Sequence, residues 1–359
     1  MSARSSFPIV ELTIPSTMQA PGAPAFEAMV EVRNRVETGI LGSGVLSYSA
    51  AELLPGFQNP YKPRRLFVAH DGGNVVARAI LSWVTAAGSS TSSVTVEVDG
   101  AYRRRGIGST MLDQLEDIVR GAGRPIIQSS VLHTAHTSGP SVAASSGFGS
   151  VPATDPGVRF LISRGYRLEQ IKRVSFLEVG QDSRELTEHR KNAERIAGPD
   201  YELKLWSGAT PPEYLTDLAR LKTAMSLDDP PAGLKRTVDA WDEARIIKRD
   251  QDQTSSGREL LTAAVLHLPS GSLVGFTEIS LPADVGGAAA QEDTLVISEH
   301  RGFSLGMLLK TTNLQRLGPE TKIVYTFNAE ENRPMLRVNE ALGFRAVGYE
   351  GGWEKSIVS

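Results

Sequence analysis

Residues 98–112 read VDGAYRRRGIGSTML. The stretch leaves a β-branched run, Val94–Val98, crosses a short polar segment and enters an apolar pattern at helical spacing. A helix that starts straight after a strand, with glycines in its first turn, presents unpaired backbone N–H groups and the positive end of its dipole. Glycine also lacks the Cβ that would hold a pyrophosphate away. Each favourable charge at such an end contributes roughly 0.3–1 kcal/mol. Arg103, Arg104 and Arg105 place cationic charge beside the same anion. The segment therefore predicts a site for a small phosphorylated ligand, made by Val98, Arg103, Arg104, Arg105, Gly106, Ile107, Gly108 and Ser109.

A polynucleotide grip is the competing reading of three arginines, and the whole chain argues against it. The 359 residues carry a formal charge of −3, whereas binding through phosphates normally shows as a basic balance or face. Lys62-Pro63-Arg64-Arg65 is a second local basic run on an otherwise mixed composition. The chain has no cysteine, which excludes disulfides, a thiolate nucleophile and Cys-ligated metal. The first residues, MSARSSFPIVELTIPSTMQAPG, lack a long apolar run, and no stretch approaches bilayer-spanning length. A cytoplasmic protein without membrane or nucleic-acid partners is expected.

The opening pattern occurs twice. VTVEVDGAYRRRGIGSTML (94–112) has a counterpart in EDTLVISEHRGFSLGMLLK (292–310), with Arg103 and Arg301, and Gly108 and Gly306, each 198 residues apart. Later, RFLISRGYRLEQ (159–170) corresponds to RVNEALGFRAVG (337–348), an amphipathic helix closed by Gly and an aromatic residue. A repeat this long means duplicated domains. The expected division is 1–180, a charged linker helix at 181–200, and 201–359.

Each half shows the same element order. The first predicts a strand (8–14), helices (24–39 and 50–54), hairpin strands (64–70 and 74–84) and a strand (93–98). A helix (106–121), strand (125–131), helix (156–164) and closing strands follow. The second predicts strand 201–206, helices 211–225 and 236–249, hairpin strands 258–267 and 272–282, and strand 293–298. Helix 304–316, strand 321–328, helix 332–341 and two last strands end it. The fold class is α/β, each half a mixed, mostly antiparallel sheet with helices on both faces. The first half has twenty surplus residues, His133–Pro152, rich in Gly, Ser and Ala. They read as a disordered surface insertion or as a mobile lid.

Val98-x4-Arg103-x-x-Gly106-x-Gly108 resembles the acyl-CoA motif of the GNAT superfamily, the general N-acetyltransferases, and the element order is similar to that family's fold in both halves. The architecture is similar to that of tandem GNAT proteins such as the mycothiol synthase-like acetyltransferases of actinobacteria. The resemblance implies acetyl-CoA as co-substrate, a small-molecule amine as acceptor, and a central splay between two parallel strands where the thioester lies. In the second copy it implies Val296, Arg301, Gly302, Ser304, Leu305 and Gly306 as the matching cradle, with Ser304 where the family has glycine. Asn332 resembles an asparagine that lies near the pantetheine arm, and Asn328 ends the strand beside the splay.

The family's usual proton-transfer residues are absent. Ser92 and Ala290 stand where many relatives have Glu, and Leu161 and Asn339 where many have a general-acid Tyr. Glu278, Glu292 and Asp293 in the second half are the candidate bases; the first half offers Glu97, which strand alternation turns away from the face of Val96 and Val98. Asp228 and Asp229 fit either an acceptor loop or ordinary turn chemistry. His133 and His136 read as solvated loop residues, not a metal pair. Trp241 and Trp353 read as packing residues. An N-acyltransferase is the leading expectation, with a non-catalytic acyl-CoA-binding protein as the alternative.

Overall fold

The computed structural model describes residues 7–357 apart from 87, 136–137, 181–182, 229–231, 236 and 283–286. In chain order the first half runs β1 (Ile9–Leu12), α1 (Ala23–Leu41), α2 (Ala50–Phe57), β2 (Arg64–Asp71), β3 (Asn74–Ser82), β4 (Thr91–Val98), α3 (Ile107–Gly121), β5 (Ile126–Thr134), β6 (Ser141–Ala143), β7 (Ser150–Pro152), α4 (Pro156–Ser163) and β8 (Arg167–Glu178). The second runs α5 (Ser183–Ala197), β9 (Tyr201–Ser207), α6 (Leu215–Asp228), α7 (Glu243–Ser255), β10 (Glu259–His267), β11 (Ser272–Leu281), β12 (Ala289–Val296), α8 (Leu305–Leu314), β13 (Ile323–Ala329), α9 (Arg333–Ala341) and β14 (Arg345–Ser356). Helix α7 starts later than its apolar spacing predicts because Asp242 caps it, accepting the Arg245 N–H at 2.8 Å.

The chain forms two compact units, and their membership departs from a simple cut at 180–200. One unit holds the chain up to Arg173, residues 231–237 and everything from Val347 onward; the other holds Val174–Pro230 and Val238–Ala346. Its sheet order in the first unit is β1-β2-β3-β4-β5-β14-β8, with β4 parallel to β5. In the second unit the order is β8-β13-β12-β11-β10-β9, with β12 parallel to β13. The expected linker helix is α5, and it is a packed element: Ala193 and Ala197 are buried against Leu305, Leu308 and Leu309 of α8. The two last strands expected at the C-terminus are one strand, β14.

Alternation along the strands separates the layers. In β2, Phe67 and Ala69 join the core under α3, while Leu66 and Val68 face α1 and α2. The surplus segment is ordered structure in its described part. β6 pairs with β7, Val151 is fully buried, and Ser145 and Ser146 donate backbone N–H groups to Leu168 and Glu169 of β8.

The C-terminal strand completes the first unit. β14 pairs antiparallel with β5 from Gly348↔Thr134 to Ser356↔Ile126, and Trp353 is wholly buried in that unit's core. Lys355 Nζ lies 2.9 and 2.8 Å from the two oxygens of buried Glu116 on α3, whose carboxylate also accepts the Tyr166 hydroxyl at 3.1 Å. Losing a core Trp costs roughly 3–5 kcal/mol, and stripping a buried ion of its partner a similar 3–5 kcal/mol. Together these approach the whole stability of an ordinary domain, about 5–15 kcal/mol. Deleting residues 347–359 is therefore expected to unfold the first unit. Limited proteolysis checks this: the surviving fragment should come from residues 174–346, and an unchanged digestion pattern refutes it.

Candidate functional site

Two loops built alike lead from β4 into α3 and from β12 into α8. Each passes through a 3-10 turn, Gly100–Tyr102 or Ser298–His300, to an extended arginine with φ −64° at Arg103 and −77° at Arg301. Arg104 (φ 64°) and Gly302 (φ 90°) then take left-handed backbone, and so do the N-cap residues Gly106 (φ 84°) and Ser304 (φ 56°). Ser304 thus adopts the glycine conformation at a cost of about 1–2 kcal/mol. The repeat keeps its shape where it loses its glycine.

Ile107 and Leu305, almost fully buried, pin the first turns to their cores. Neither helix has a side-chain cap or an acidic residue in its first turn, so the terminal N–H groups are left for an anion. A Cβ on Gly108 would come within 3.5 Å of Val98 and 3.8 Å of Phe160; on Gly306 it would meet nothing within 4 Å. These features fit a pyrophosphate. The arginines divide their roles, however: Arg103 and Arg301 donate Nε–H to the carbonyls of Val98 and Val296 at 3.1 and 3.0 Å and so close the loops. Arg105 lies over the Tyr102 ring at 5.1 Å.

Beside each loop the parallel strands part. β4 and β5 pair from Thr91↔Ile126 to Val94↔Ser129, and β12 and β13 only at Ala289↔Val324 and Ala290↔Tyr325. The two splays differ in one respect. β3 and β4 are in regular register, but β11 and β12 are not: Thr277 faces Thr294 and Ile279 faces Gln291, leaving Glu292 and Asp293 opposite the single residue Glu278. This is a β-bulge, which re-aims side chains and takes backbone groups out of the ladder. All three candidate carboxylates of the second half meet there.

Buried Gln291 holds the bulge, its Nε2 donating to the Glu278 carbonyl at 2.8 Å and to the Thr277 hydroxyl at 3.0 Å. Thr326 hydrogen-bonds across to the Gln291 carbonyl and to Asn328 Oδ1, which also accepts from Asn339 at 2.7 Å. Asn339, which occupies the expected acid position, is buried within this amide chain. Asn332 has a local duty: its side chain caps α9 by accepting the Met335 N–H.

The three carboxylates are not equivalent. Glu278 is buried, with Lys222 Nζ at 2.5 Å on one oxygen and Arg249 Nη1 at 2.7 Å on the other. Burial pushes its carboxyl up, but Arg249 and Lys222 outweigh that and hold it below the usual value. A carboxylate so paired is a poor proton acceptor. Asp293 is bound to the same Lys222 Nζ at 2.7 Å. Glu292 is exposed; lost solvation and the charges of Asp293 and Glu278 push its carboxyl up to about 7, with Lys222 opposing. Lys222 and Arg249, which decide these differences, sit on α6 and α7 with no motif to mark them.

In the first unit Glu97 is ion-paired with buried Arg78, on the face opposite Val96 and Val98. It does not stand alone. Glu37 on α1, 2.7 Å from Arg33, is raised to about 7, chiefly by burial and partly by the charge of Glu97, with Arg33 opposing. His133 corrects its sequence reading: it is wholly buried at the end of β5, Nδ1 3.3 Å from Asp155 Oδ1 at the cap of α4. His136 and Asp229 lie outside the described residues, as does the side chain of Asp228. Trp241 packs in the core under α6 and α7. Among the described residues no three His, Cys, Asp or Glu side chains form a metal-holding group, and no helix is long and apolar enough to cross a membrane.

Residues 42–142 match the model of the acetyltransferase (GNAT) family. A tandem GNAT protein from the clavulanic acid biosynthesis pathway superposes with a TM-score of 0.72 at 22% identity, covering 98% of this chain and 99% of that one. A GCN5-related N-acetyltransferase from Sphaerobacter thermophilus gives 0.57 at 16% identity over 98% and 96%. The glucosamine N-acetyltransferase region of a fungal multi-domain β-N-acetylglucosaminidase gives 0.60 at 12% identity, over 98% of this chain and 38% of that one. No curated protein sequence matches the chain. The sequence match is confined to residues 42–142, and the whole chain has the tandem GNAT fold.

Proposed function

We propose that the chain is an acyl-CoA-dependent N-acyltransferase that carries an acetyl group from acetyl-CoA to a small-molecule amine in a ternary complex. The observation that carries the reading is a carboxylate, Glu292, raised toward neutral pH at a bulge in a splay that opens beside an uncapped helix N-terminus. Bound acetyl-CoA supplies an activated thioester. Gly106–Ser109 in the first unit and Ser304–Gly306 in the second would hold its pyrophosphate through backbone N–H groups. The amine nitrogen forms the new C–N bond and gives its proton to Glu292, and backbone N–H groups at the bulge are available to the acyl oxygen. The C–S bond breaks, with CoA leaving as a thiolate that takes its proton from solvent. The polar chain Gln291–Thr326–Asn328–Asn339 keeps this geometry, which is positioning in the sense that lowers a barrier. No cysteine offers a covalent route.

Thiol release from acetyl-CoA with a panel of primary amines tests the activity, and initial-rate lines should intersect. Acetyl-CoA binding without release for any amine favours the second reading, a non-catalytic acyl-CoA sensor, which the absent family Glu and Tyr support. For the first cradle, Gly106→Val with Gly108→Val forces a branched side chain onto left-handed backbone and fills the turn against Val98. Calorimetry should show acetyl-CoA binding to the first unit abolished, with the thermal midpoint recorded alongside. Unchanged affinity in a folded double variant refutes the assignment.

A further inference from the structure

The second unit ends its sheet on β9, and no described strand pairs with the outer edge of that strand. Leu268 donates its N–H to the Asp200 carbonyl and Gly208 to the Leu260 carbonyl, each at 2.8 Å. These bonds flank a β9–β10 register that runs without a shift from Tyr201↔His267 to Ser207↔Leu261. In an antiparallel ladder only alternate residues turn their N–H and C=O toward a given neighbour. Even-numbered residues of β9 therefore bond to β10, and Tyr201, Leu203, Leu205 and Ser207 aim their backbone groups outward. Natural edges are blunted by shortness, proline or bulges. The first unit does so, since its edge strand β1 has four residues and follows Pro8. β9 has seven residues, YELKLWS, with no proline and no bulge against β10.

The sequence of that edge is complementary to itself. Against an antiparallel second copy, with a two-fold axis at Leu203, Leu203 faces Leu203, Tyr201 faces Leu205 and Glu202 faces Lys204. This register is in phase with the backbone. The outward groups of Tyr201, Leu203 and Leu205 meet as hydrogen-bonded pairs, two bonds to each pair. Glu202 and Lys204 fall at non-hydrogen-bonded pairs, whose Cα atoms lie about 4.5 Å apart, where cross-strand side chains come closest. Sliding to the next in-phase register sets Glu202 against Glu202, or Lys204 against Lys204, so charge favours this one. Apolar surface agrees. Leu205 is 49% exposed and would meet Tyr201 of the second copy, whose ring lies 5.5 Å from that of Phe303, itself 43% exposed.

We infer that the free edge of β9 is a homodimer interface, on which a second copy of this chain continues the second unit's sheet. The inference stands whichever reaction the splay performs, because its test is self-association. Sedimentation velocity of the full chain across a concentration series should show a reversible monomer–dimer equilibrium. Glu202→Lys or Lys204→Glu alone sets like charges opposite one another twice in each dimer and should weaken it about tenfold. An equimolar mixture of these two variants puts opposite charges back at both places and should dimerise as the wild type does. Leu205→Pro removes an outward N–H at an exposed position, leaves the bonds to β10 in place and should be monomeric. Urea midpoints recorded alongside separate lost pairing from lost folding. Monomer at every concentration, a dimer indifferent to the charge changes or to Leu205→Pro, or a mixture no tighter than its components would each overturn the inference.

Discussion

Replacing Glu292 by glutamine is expected to lower kcat by about 10²–10⁴-fold, the usual cost of losing a general base, while acetyl-CoA affinity changes little. The amide keeps the size of the side chain and cannot take a proton. Glu278→Gln should not reproduce this pattern, since both of its oxygens are occupied by Lys222 and Arg249. Its loss would leave Lys222 with Asp293 alone and Arg249 with Asp250 alone, and would appear as lost stability instead. The pH profile gives an independent check. A base works deprotonated, and the Glu292 carboxyl is pushed up to about 7, so kcat should rise with pH and level off above that value. In Glu292→Gln the rise should vanish. The competing carboxylate is Glu37, raised to about 7 in the first unit. If Glu37→Gln collapses kcat and Glu292→Gln does not, the chemistry belongs to the first unit.

The duplication made much of the fold legible. Arg103 and Arg301 fix the two loops, and the loops fix where each central helix begins, because the strand–turn–glycine pattern is local and survives at low similarity. The packing of helix α5 was illegible for a physical reason. Its buried contacts are alanines, which carry little hydrophobic signal, so its charged face dominates the sequence. The destination of β14 was illegible because strand exchange leaves no trace in local periodicity; Trp353 and Lys355 look the same wherever their partners lie.

At the site, residue types were legible and their states were not. Glu278, Glu292 and Asp293 could be shortlisted from their nearness to the motif. Their separation into a doubly paired ion, a lysine-bound ion and a carboxyl with no cation bonded to it depends on where Lys222 and Arg249 reach, both more than twenty residues away in sequence. The bulge shifts β12 by one residue against β11, whereas β4 runs in register with β3, and nothing in the sequence marks that difference. His133 shows the converse error: neighbours rich in Ser and Gly suggested a loop, while the residue itself closes a strand and is buried.

Lys310→Leu is expected to stabilise the second unit by on the order of 4 kcal/mol at neutral pH. Lys310 lies on α8 only 1% exposed, and its described contact is the face of Phe344, 5.7 Å from Nζ. Its counterpart 198 residues earlier is Leu112, a buried core residue, so the fold accommodates leucine at this place. Burial alone pulls the ammonium from 10.5 down to about 7, and each pKa unit corresponds to about 1.4 kcal/mol between the two protonation states. The sign follows from proton counting. Between pH 7 and 10.5 the unfolded chain holds a proton on this lysine that the folded chain lacks, so wild-type stability rises with pH across that window. Below about pH 7 the penalty is fully present, and above 10.5 it is gone. Urea unfolding of wild type and Lys310→Leu at fixed pH values measures the difference directly. The gap should be widest at pH 7 and close toward pH 10.5. A gap that does not vary with pH would mean that the amine is charged and paired in the folded protein, and that leucine acts through packing alone.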